Sequence, residues 1–224
     1  MIPIYVGYDP REPIAYHVCC NSIIRTASKP VCFIPLALGL LDGLYQEEHR
    51  DGSNDFIYSR FLVPYLNGFQ GHAIYLDGDM LVKGDIVDLW NQKCASTALQ
   101  CVKHDYQTKA PVKYLGQKNE DYPKKNWSSV ILWNCGHPTH RNLVPDTVSK
   151  MTGKQLHRFL WMNEAQIGAL SPSWNWLETE YPPNPKANLV HYTLGTPCFD
   201  EYSETETAWQ WKNELSRSLH PIKI

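Results

Sequence analysis

The sequence predicts an α/β layer fold with a largely parallel sheet. Three observations lead there. Short apolar runs of strand length alternate with helix-like segments through the first half of the chain. Two of those runs end in Asp-containing turns, as strands do when they deliver residues to the carboxyl edge of such a sheet. The 224 residues are 43 % hydrophobic and 20 % charged, which is globular composition and excludes a disordered, collagen-like or coiled-coil chain.

The elements follow in order. Ile4-Tyr5-Val6-Gly7 is a buried strand. Residues 14–27 form a helix, with Ile14, Val18, Ile23 and Ile24 available for one face. Residues 31–36 are a second strand. Residues 56–66 are helical, kinked or ended by Pro64. Ala73-Ile74-Tyr75-Leu76 is a strand that stops at Asp77-Gly78-Asp79. Residues 98–102 and 130–133 are further strands, 189–191 is a strand-like run ending in His191, Asn163 caps a helix, and 205–217 is a C-terminal helix. One domain is expected over 1–224, with residues 1–102 forming a half that ends in the Asp77-Gly78-Asp79 motif and residues 103–224 a second half.

Twenty-one Lys+Arg against 23 Asp+Glu give a net charge of −2, so no global basic field favours nucleic acid. The longest apolar stretch, 31–41, is about half the ~20 residues a membrane span needs, and Pro35 and Gly39 interrupt it. The start, Met1-Ile2-Pro3-Ile4, lacks a basic n-region and is read as mature structure. Seven Cys, an odd number with no CxxC spacing, argue for free thiols in a reducing compartment. A cytoplasmic location is therefore expected. Segment 103–125 stands out, with six Lys against three acids. It is expected to be a surface loop, with a role near an anionic ligand as the sharper reading.

Several residues are suited to chemistry. Asp77 and Asp79, two apart around Gly78, can grip one hard divalent cation. His191 ends a strand-like run, and imidazole joined to carboxylates suits Mn²⁺ or another first-row ion. Arg60 sits in an apolar pattern, where a guanidinium either packs its stem and exposes its head or clamps a phosphate or a carboxylate beside it. Asn163-Glu164 reads as a helix cap with a first-turn acid. Trp161, Trp174 and Trp176 are candidates to line a ligand site or to fill a core. Trp209 and Trp211, two apart in a helix, cannot share a face, so one of them is exposed.

The order of these blocks is more specific than any one of them. Tyr8-Asp9 follows the first strand. Then come Tyr58-Ser59-Arg60, the run Tyr75-Leu76-Asp77-Gly78-Asp79-Met80-Leu81-Val82, Trp127-Ser128-Ser129 with Val130 to Asn134, Asn163-Glu164, Trp174-Asn175-Trp176-Leu177, and His191-Tyr192-Thr193 with Gly195 and Pro197. Over roughly residues 3 to 200 this resembles the glycosyltransferases of GT-A fold, the nucleotide-diphospho-sugar transferase fold. It is most similar to the family-eight-like retaining group of glycogenin and the bacterial lipopolysaccharide galactosyltransferases.

The resemblance implies retaining transfer of a sugar from a nucleotide-sugar donor, most often UDP-linked, with Mn²⁺ or Mg²⁺. It implies a glycan, lipid-linked or protein acceptor. It places Tyr8, Asp9, Arg60, Asp77, Gly78 and Gly195 at the donor nucleotide, with Asp9 on the uracil ring. It puts Ser128 and Asn163 at the donor sugar, Asp77, Asp79 and His191 on the metal in a DXD-type site, and Glu164, Asn163 and Arg60 at the reacting centre.

The chain departs from the group's pattern at three places. The Lys that follows the His-Tyr-Thr-Gly block is absent from Gly195-Thr196-Pro197-Cys198, so a cation from segment 103–125 is expected to substitute. The small-residue segment over the donor sugar reads Trp127-Ser128-Ser129. The Asp-Gln pair reads Asn163-Glu164. A non-catalytic nucleotide- or carbohydrate-binding module is one alternative. A sugar nucleotidyltransferase is another, although Gly7 to Pro13, with one Gly and one Arg, is a poor phosphate cradle.

Overall fold

The computed structural model describes residues 1–48, 52 and 54–219. The main sheet has six strands: β1 (Ile2–Gly7), β2 (Val31–Leu36), β3 (His72–Leu76), β5 (Leu99–Cys101), β6 (Val130–Asn134) and β7 (Ile167–Ala169). Their spatial order is β2-β1-β3-β6-β5-β7. β6 alone runs against the others, so the sheet is mixed and mainly parallel, as the sequence predicts. A second sheet joins β4 (Met80–Val82), β8 (Trp176–Leu177) and β9 (Leu189–His191) in the order β4-β9-β8.

Alternation along the strands builds two cores. Ile4, Val6, Ile74, Leu76, Val130 and Leu132 turn to one face, where α1 (Pro13–Thr26), α3 (Ile86–Trp90) and the second sheet cover them. Tyr5, Ala73, Tyr75, Ile131 and Trp133 turn to the other, under residues 56–66, α4 (Pro145–Lys150) and α5 (Gly153–His157). Period-two placement of large apolar side chains is what commits both faces of a mainly parallel sheet to burial. A third cluster joins α1, the second sheet and α6 (Ala208–Leu219) through Val18, Leu81, Val190, Tyr192 and Trp211. Trp211 is 1 % exposed and Trp209 62 %, the split that their spacing requires.

Three expectations are corrected. Residues 56–66 are not one helix. A 3-10 turn, Ser59–Leu62, hands over to the short α2 (Val63–Leu66), and Pro64 starts that helix instead of kinking it, because proline is tolerated in a first turn. Asn163 opens only the 3-10 turn Glu164–Gln166, since Ile167 immediately joins β7 and sheet pairing overrides further helix. Trp174 and Trp176 are buried in the cores, and Trp161 packs edge-on against Phe61 and Phe159. None of the three is therefore a free stacking platform.

Two features position the site. β1 sends its chain through α1 to β2 on one side and pairs β3 on the other, so a crevice opens beyond the carboxyl ends of β1 and β3. Neighbouring β5 and β6 are joined by the long segment 102–129, which contains only a 3-10 turn, Tyr114–Gly116, and one isolated bridge between Val112 and Lys118.

Candidate active site

β1 ends at Gly7 and β3 at Leu76, side by side, so Asp9 and Asp77 emerge at the same edge. The turn between β3 and β4 must pass very close to β1. A Cβ on Gly78 would lie 2.4 Å from the Gly7 carbonyl oxygen, which explains glycine between the two aspartates. β4 then pairs antiparallel with β9, with Met80 opposite His191, and the Tyr192 amide donates to the Asp79 carbonyl at 3.0 Å. This register carries His191 to a position beside residues more than a hundred places earlier.

Asp77, Asp79 and His191 converge, with one ligand atom from each lying within 4.8 Å of the others. His191 Nε2 is 3.4 Å from Asp79 Oδ1. Asn175 fixes the ring. Its Nδ2 donates to the Ser129 hydroxyl at 2.8 Å and to the Asn126 carbonyl at 3.2 Å, so its Oδ1 is the atom left to accept from His191 Nδ1–H at 3.0 Å. With the proton on Nδ1, the Nε2 lone pair faces the carboxylates, as a metal-binding imidazole requires. Asp79 Oδ1 is buried with no hydrogen-bond partner. A buried acceptor without a donor is costly, and a divalent cation satisfies it. The donor set, two carboxylates and one imidazole, therefore fits such an ion.

Asp77 is held from behind. Tyr75 donates its hydroxyl to Asp77 Oδ1 at 2.6 Å, and Arg60 Nη1 lies 2.7 Å from the same oxygen. Arg60 is buried, donates to the carbonyls of Ser128 and Phe56, and lies over the rings of Phe56 and Tyr75. Burial raises the Asp77 carboxyl from its ordinary value, more than the Arg60 charge lowers it. Arg60 thus reaches the site as the partner of Asp77.

The other expected residues divide. Asp9, Gly78 and Asp79 share a narrow recess with Glu12, Phe56 and Tyr114. Asp9 is already engaged: the Arg11 amide and Nε both donate to its Oδ1 at 2.9 Å, and Arg11 Nη2 lies 2.5 Å from Oδ2. Tyr8 lines an adjoining apolar cleft of about 500 Å³ with Pro10, Tyr16, Pro35 and Leu38. Gly195, at φ +152°, is pressed between Tyr202 and Tyr114, so only glycine fits there. Ser128 is buried, with its hydroxyl 2.8 Å from His157 Nδ1. Asn163 and Glu164 are not gathered into this group. Glu164 is exposed and paired with Lys124 at 2.5 Å, and among the described residues no hydrogen bond or ion pair links either one to Asp77, Asp79 or His191.

Three contributors carry no role in the sequence reading, and a fourth comes from the segment expected to supply a cation. Asn175 lies beside two tryptophans with no chemistry of its own. Tyr75 reads as strand filling. Glu12 is a buried carboxyl that burial, then the charges of Asp79 and Asp9, push up to about 7, although Thr196 donates a short hydrogen bond to it. Segment 103–125 brings Lys113 and Tyr114 to the site. The Tyr114 amide donates to the Leu194 carbonyl at 2.7 Å, and its ring lies 5.0 Å from that of Phe199. Burial pushes the Lys113 amine down, while the carboxylates of Asp79 and Asp77 pull it back up. Lys113 is therefore the cation of that segment whose charge bears on the carboxylate pair.

Comparison with known proteins identifies the family and agrees with the fold. The model of glycosyl transferase family 8 matches residues 25–196. Protein CDI of Arabidopsis thaliana is 42 % identical over 220 residues, covering 95 % of this chain and 85 % of that protein. Among solved structures, the galactosyltransferase LgtC, in complex with donor and acceptor sugar analogues, superposes with a TM-score of 0.62 at 14 % identity, covering 96 % of this chain and 95 % of its own. Glycosyltransferase GlyE of Streptococcus pneumoniae TIGR4 gives 0.63 at 16 % identity, over 96 % of this chain but 61 % of its own. The bifunctional glycosyltransferase WbbM gives 0.60 at 14 %, over 95 % of this chain and about half of its own (51 %). These structural likenesses concern the fold.

Proposed function

The chain belongs to glycosyl transferase family 8, and from that premise we propose that it transfers a hexosyl unit from a nucleotide-diphosphate sugar, UDP-linked, to a glycan, lipid-linked or protein acceptor with retention of configuration. The observation that carries the proposal is the convergence of Asp77, Asp79 and His191, with the His191 tautomer fixed by Asn175.

In this reading Asp77, Asp79 and His191 hold a divalent ion, Mn²⁺ or Mg²⁺. Such an ion supplies Lewis-acid stabilisation of the negative charge that builds on a departing diphosphate. The chain's own residues do the rest. Arg60 and Tyr75 keep the Asp77 carboxylate in one orientation before substrate arrives, so no reorganisation is needed at the moment of reaction. Lys113 takes the place of the lysine missing after Gly195 and adds positive charge on the diphosphate side. Tyr8 and the apolar cleft beside it receive the base, and Asp9 meets its polar edge from the neighbouring recess. Glu164, steadied by Lys124, supplies negative charge toward a sugar ring that becomes oxocarbenium-like. Residues 1–102 carry most of the nucleotide side, and residues 103–224 add His191 and Lys113 to it and carry the acceptor side. Among the described residues no helix is long and apolar enough to cross a membrane, and a cytoplasmic site of action is part of the proposal.

Thermal unfolding with UDP, GDP, ADP and CMP, each with and without Mn²⁺, tests this. A ligand at 100 times its dissociation constant stabilises the native state by about 2.7 kcal/mol. UDP is expected to raise the midpoint only with Mn²⁺. A larger effect from another nucleotide overturns the uridine assignment, and no effect from any of them overturns the transferase reading.

A further inference from the structure

A second cleft, of about 420 Å³, opens beside the metal-site residues between segment 103–125 and α5. Its lining is unusual in charge. Lys113, Lys118, Lys125, Lys154 and Arg158 face a single carboxylate, Glu120, and Glu120 is already paired with Lys118. Among the described residues no carboxylate lies within ion-pair distance of Lys113, Lys125, Lys154 or Arg158. Asp77, Asp79, Asp121 and Glu180 act on Lys113 or Lys125 only from further away.

This surplus is held in place. Lys125 is buried and donates to Asn119 Oδ1 at 2.6 Å and to the Glu120 carbonyl at 2.7 Å. Both acceptors are neutral, and an ammonium has three donors. Its pKa is pushed down to about 8, first by burial and then by the Lys113 charge. His157 is buried in the cleft wall, and its Nε2 has no hydrogen-bond partner. The Nε of Arg158 is likewise buried and unpaired. Like charges gathered around unsatisfied buried nitrogens are costly, and a bound oxyanion removes both costs at once.

The cleft adjoins the reaction site through two shared residues. Lys113 bears on Asp77 and Asp79. His157 bonds the hydroxyl of Ser128, whose carbonyl accepts from Arg60. Tyr122, 37 % exposed, completes the lining with Tyr58, which is buried in the core behind it, and the Tyr122 ring offers a flat apolar face of the kind that packs on sugars.

We propose that this cleft binds an oxyanion, a carboxylate or phosphoryl group, carried by a saccharide substrate of the adjoining site. The inference rests on the transferase reading for its substrate. The oxyanion belongs either to the donor's sugar, as in a uronic acid, or to a phosphorylated acceptor.

Titration calorimetry on the full chain separates these sources. UDP-glucuronate is compared with UDP-glucose in the presence of Mn²⁺, and glucose 6-phosphate with glucose in the presence and absence of UDP. At least a tenfold preference for the acidic member is expected in one pair, and that pair identifies the source. The double variant Lys154→Gln/Arg158→Gln, checked by its unfolding midpoint, is expected to erase the preference. Lys113→Gln, tested alone, is expected to weaken both acidic ligands and UDP. No acidic preference in either pair overturns the proposal, as does a preference that survives the double variant. The transferase reading is tested separately by UDP itself. If UDP fails to bind while glucose 6-phosphate still requires Lys154 and Arg158, that reading falls and the cleft stands.

Discussion

The metal-site residues and the basic cleft solve neighbouring problems with opposite materials. Asp77, Asp79 and His191 stand at the ends of paired strands, locked by β-ladder register and by Arg60, Tyr75 and Asn175. Of the cleft's cations, Lys113, Lys118 and Lys125 come from a stretch with one 3-10 turn and one isolated bridge, while Lys154 and Arg158 come from α5 and its C-cap. A metal ion demands ligand atoms fixed within about half an ångström, which only a rigid scaffold provides. An oxyanion met by several flexible ammonium groups tolerates a looser frame. Precision of chemistry and regularity of backbone therefore go together here.

The comparison can be broken at several points. The largest effect is expected from Asp79→Asn, which removes one of the two carboxylates proposed to hold a divalent ion. Transfer should fall by about a thousandfold or more, and the Mn²⁺-dependent stabilisation by UDP should vanish. Near-normal turnover in that variant removes Asp79 from the metal.

Glu12→Gln probes the recess beside Asp79. The Glu12 carboxyl titrates near 7 in the folded protein against an ordinary value of 4.5. A raised pKa means that its stabilising contribution is complete below pH 4.5 and is lost as pH rises through about 7. Wild-type stability in metal-free urea denaturation should therefore drop between pH 5 and pH 8 by up to about 3 kcal/mol more than that of the variant. Parallel pH profiles for the two proteins would place Glu12 in an ordinary environment.

Asn175→Ala leaves the Asp77, Asp79 and His191 side chains in place but frees the His191 ring. Mn²⁺ affinity should fall by about 10- to 100-fold in calorimetric titration, with the unfolding midpoint shifted far less. An unchanged affinity would show that Asn175 only fills space.

The smallest contrast compares two glycines. In Gly78→Ala the new Cβ meets the Gly7 carbonyl, and a cost of about 1–3 kcal/mol is expected. Gly116, at φ +71° in the segment before β6, has open space around it, so Gly116→Ala should cost only about 1 kcal/mol of backbone strain. Equal losses in chemical denaturation would mean that the two regions are equally rigid.

What could be read in advance follows the same division. The strands of the main sheet announce themselves as apolar runs such as Ile74-Tyr75-Leu76 and Val130-Ile131-Leu132, because both faces of a mainly parallel sheet are buried. β4, β7 and β8 do not, since two or three residues carry no period. The Asp77-Gly78-Asp79 turn and His191 were legible as chemistry, but the pairing of Met80 with His191 that joins them is a long-range fact. Asn175 gains its role from a ring 16 residues away, and Glu12 from a hydroxyl 184 residues away. Trp174, in a 3-10 turn, and Trp176, in β8, read equally well as ligand platforms, because local sequence does not reveal which side of so short an element faces inward. The apolar pattern around Arg60 leaves open a phosphate or a neighbouring carboxylate as its partner, and only the fold shows that the carboxylate is Asp77.

The segment before β6 leaves the sheet at Cys101 and returns at Val130, and Cys101 and Ile131 are direct partners in the antiparallel ladder. Its two stems therefore lie about 5 Å apart, the spacing of a simple hairpin. An insert with such closely set stems can be lengthened, shortened or exchanged while the ladder beneath it stays in register. The charge that Lys113, Lys118 and Lys125 bring to the cleft is thus separable from the strands, and a grafted segment with a different pattern of lysines would alter it while Lys154 and Arg158 stay in place on α5 and its C-cap.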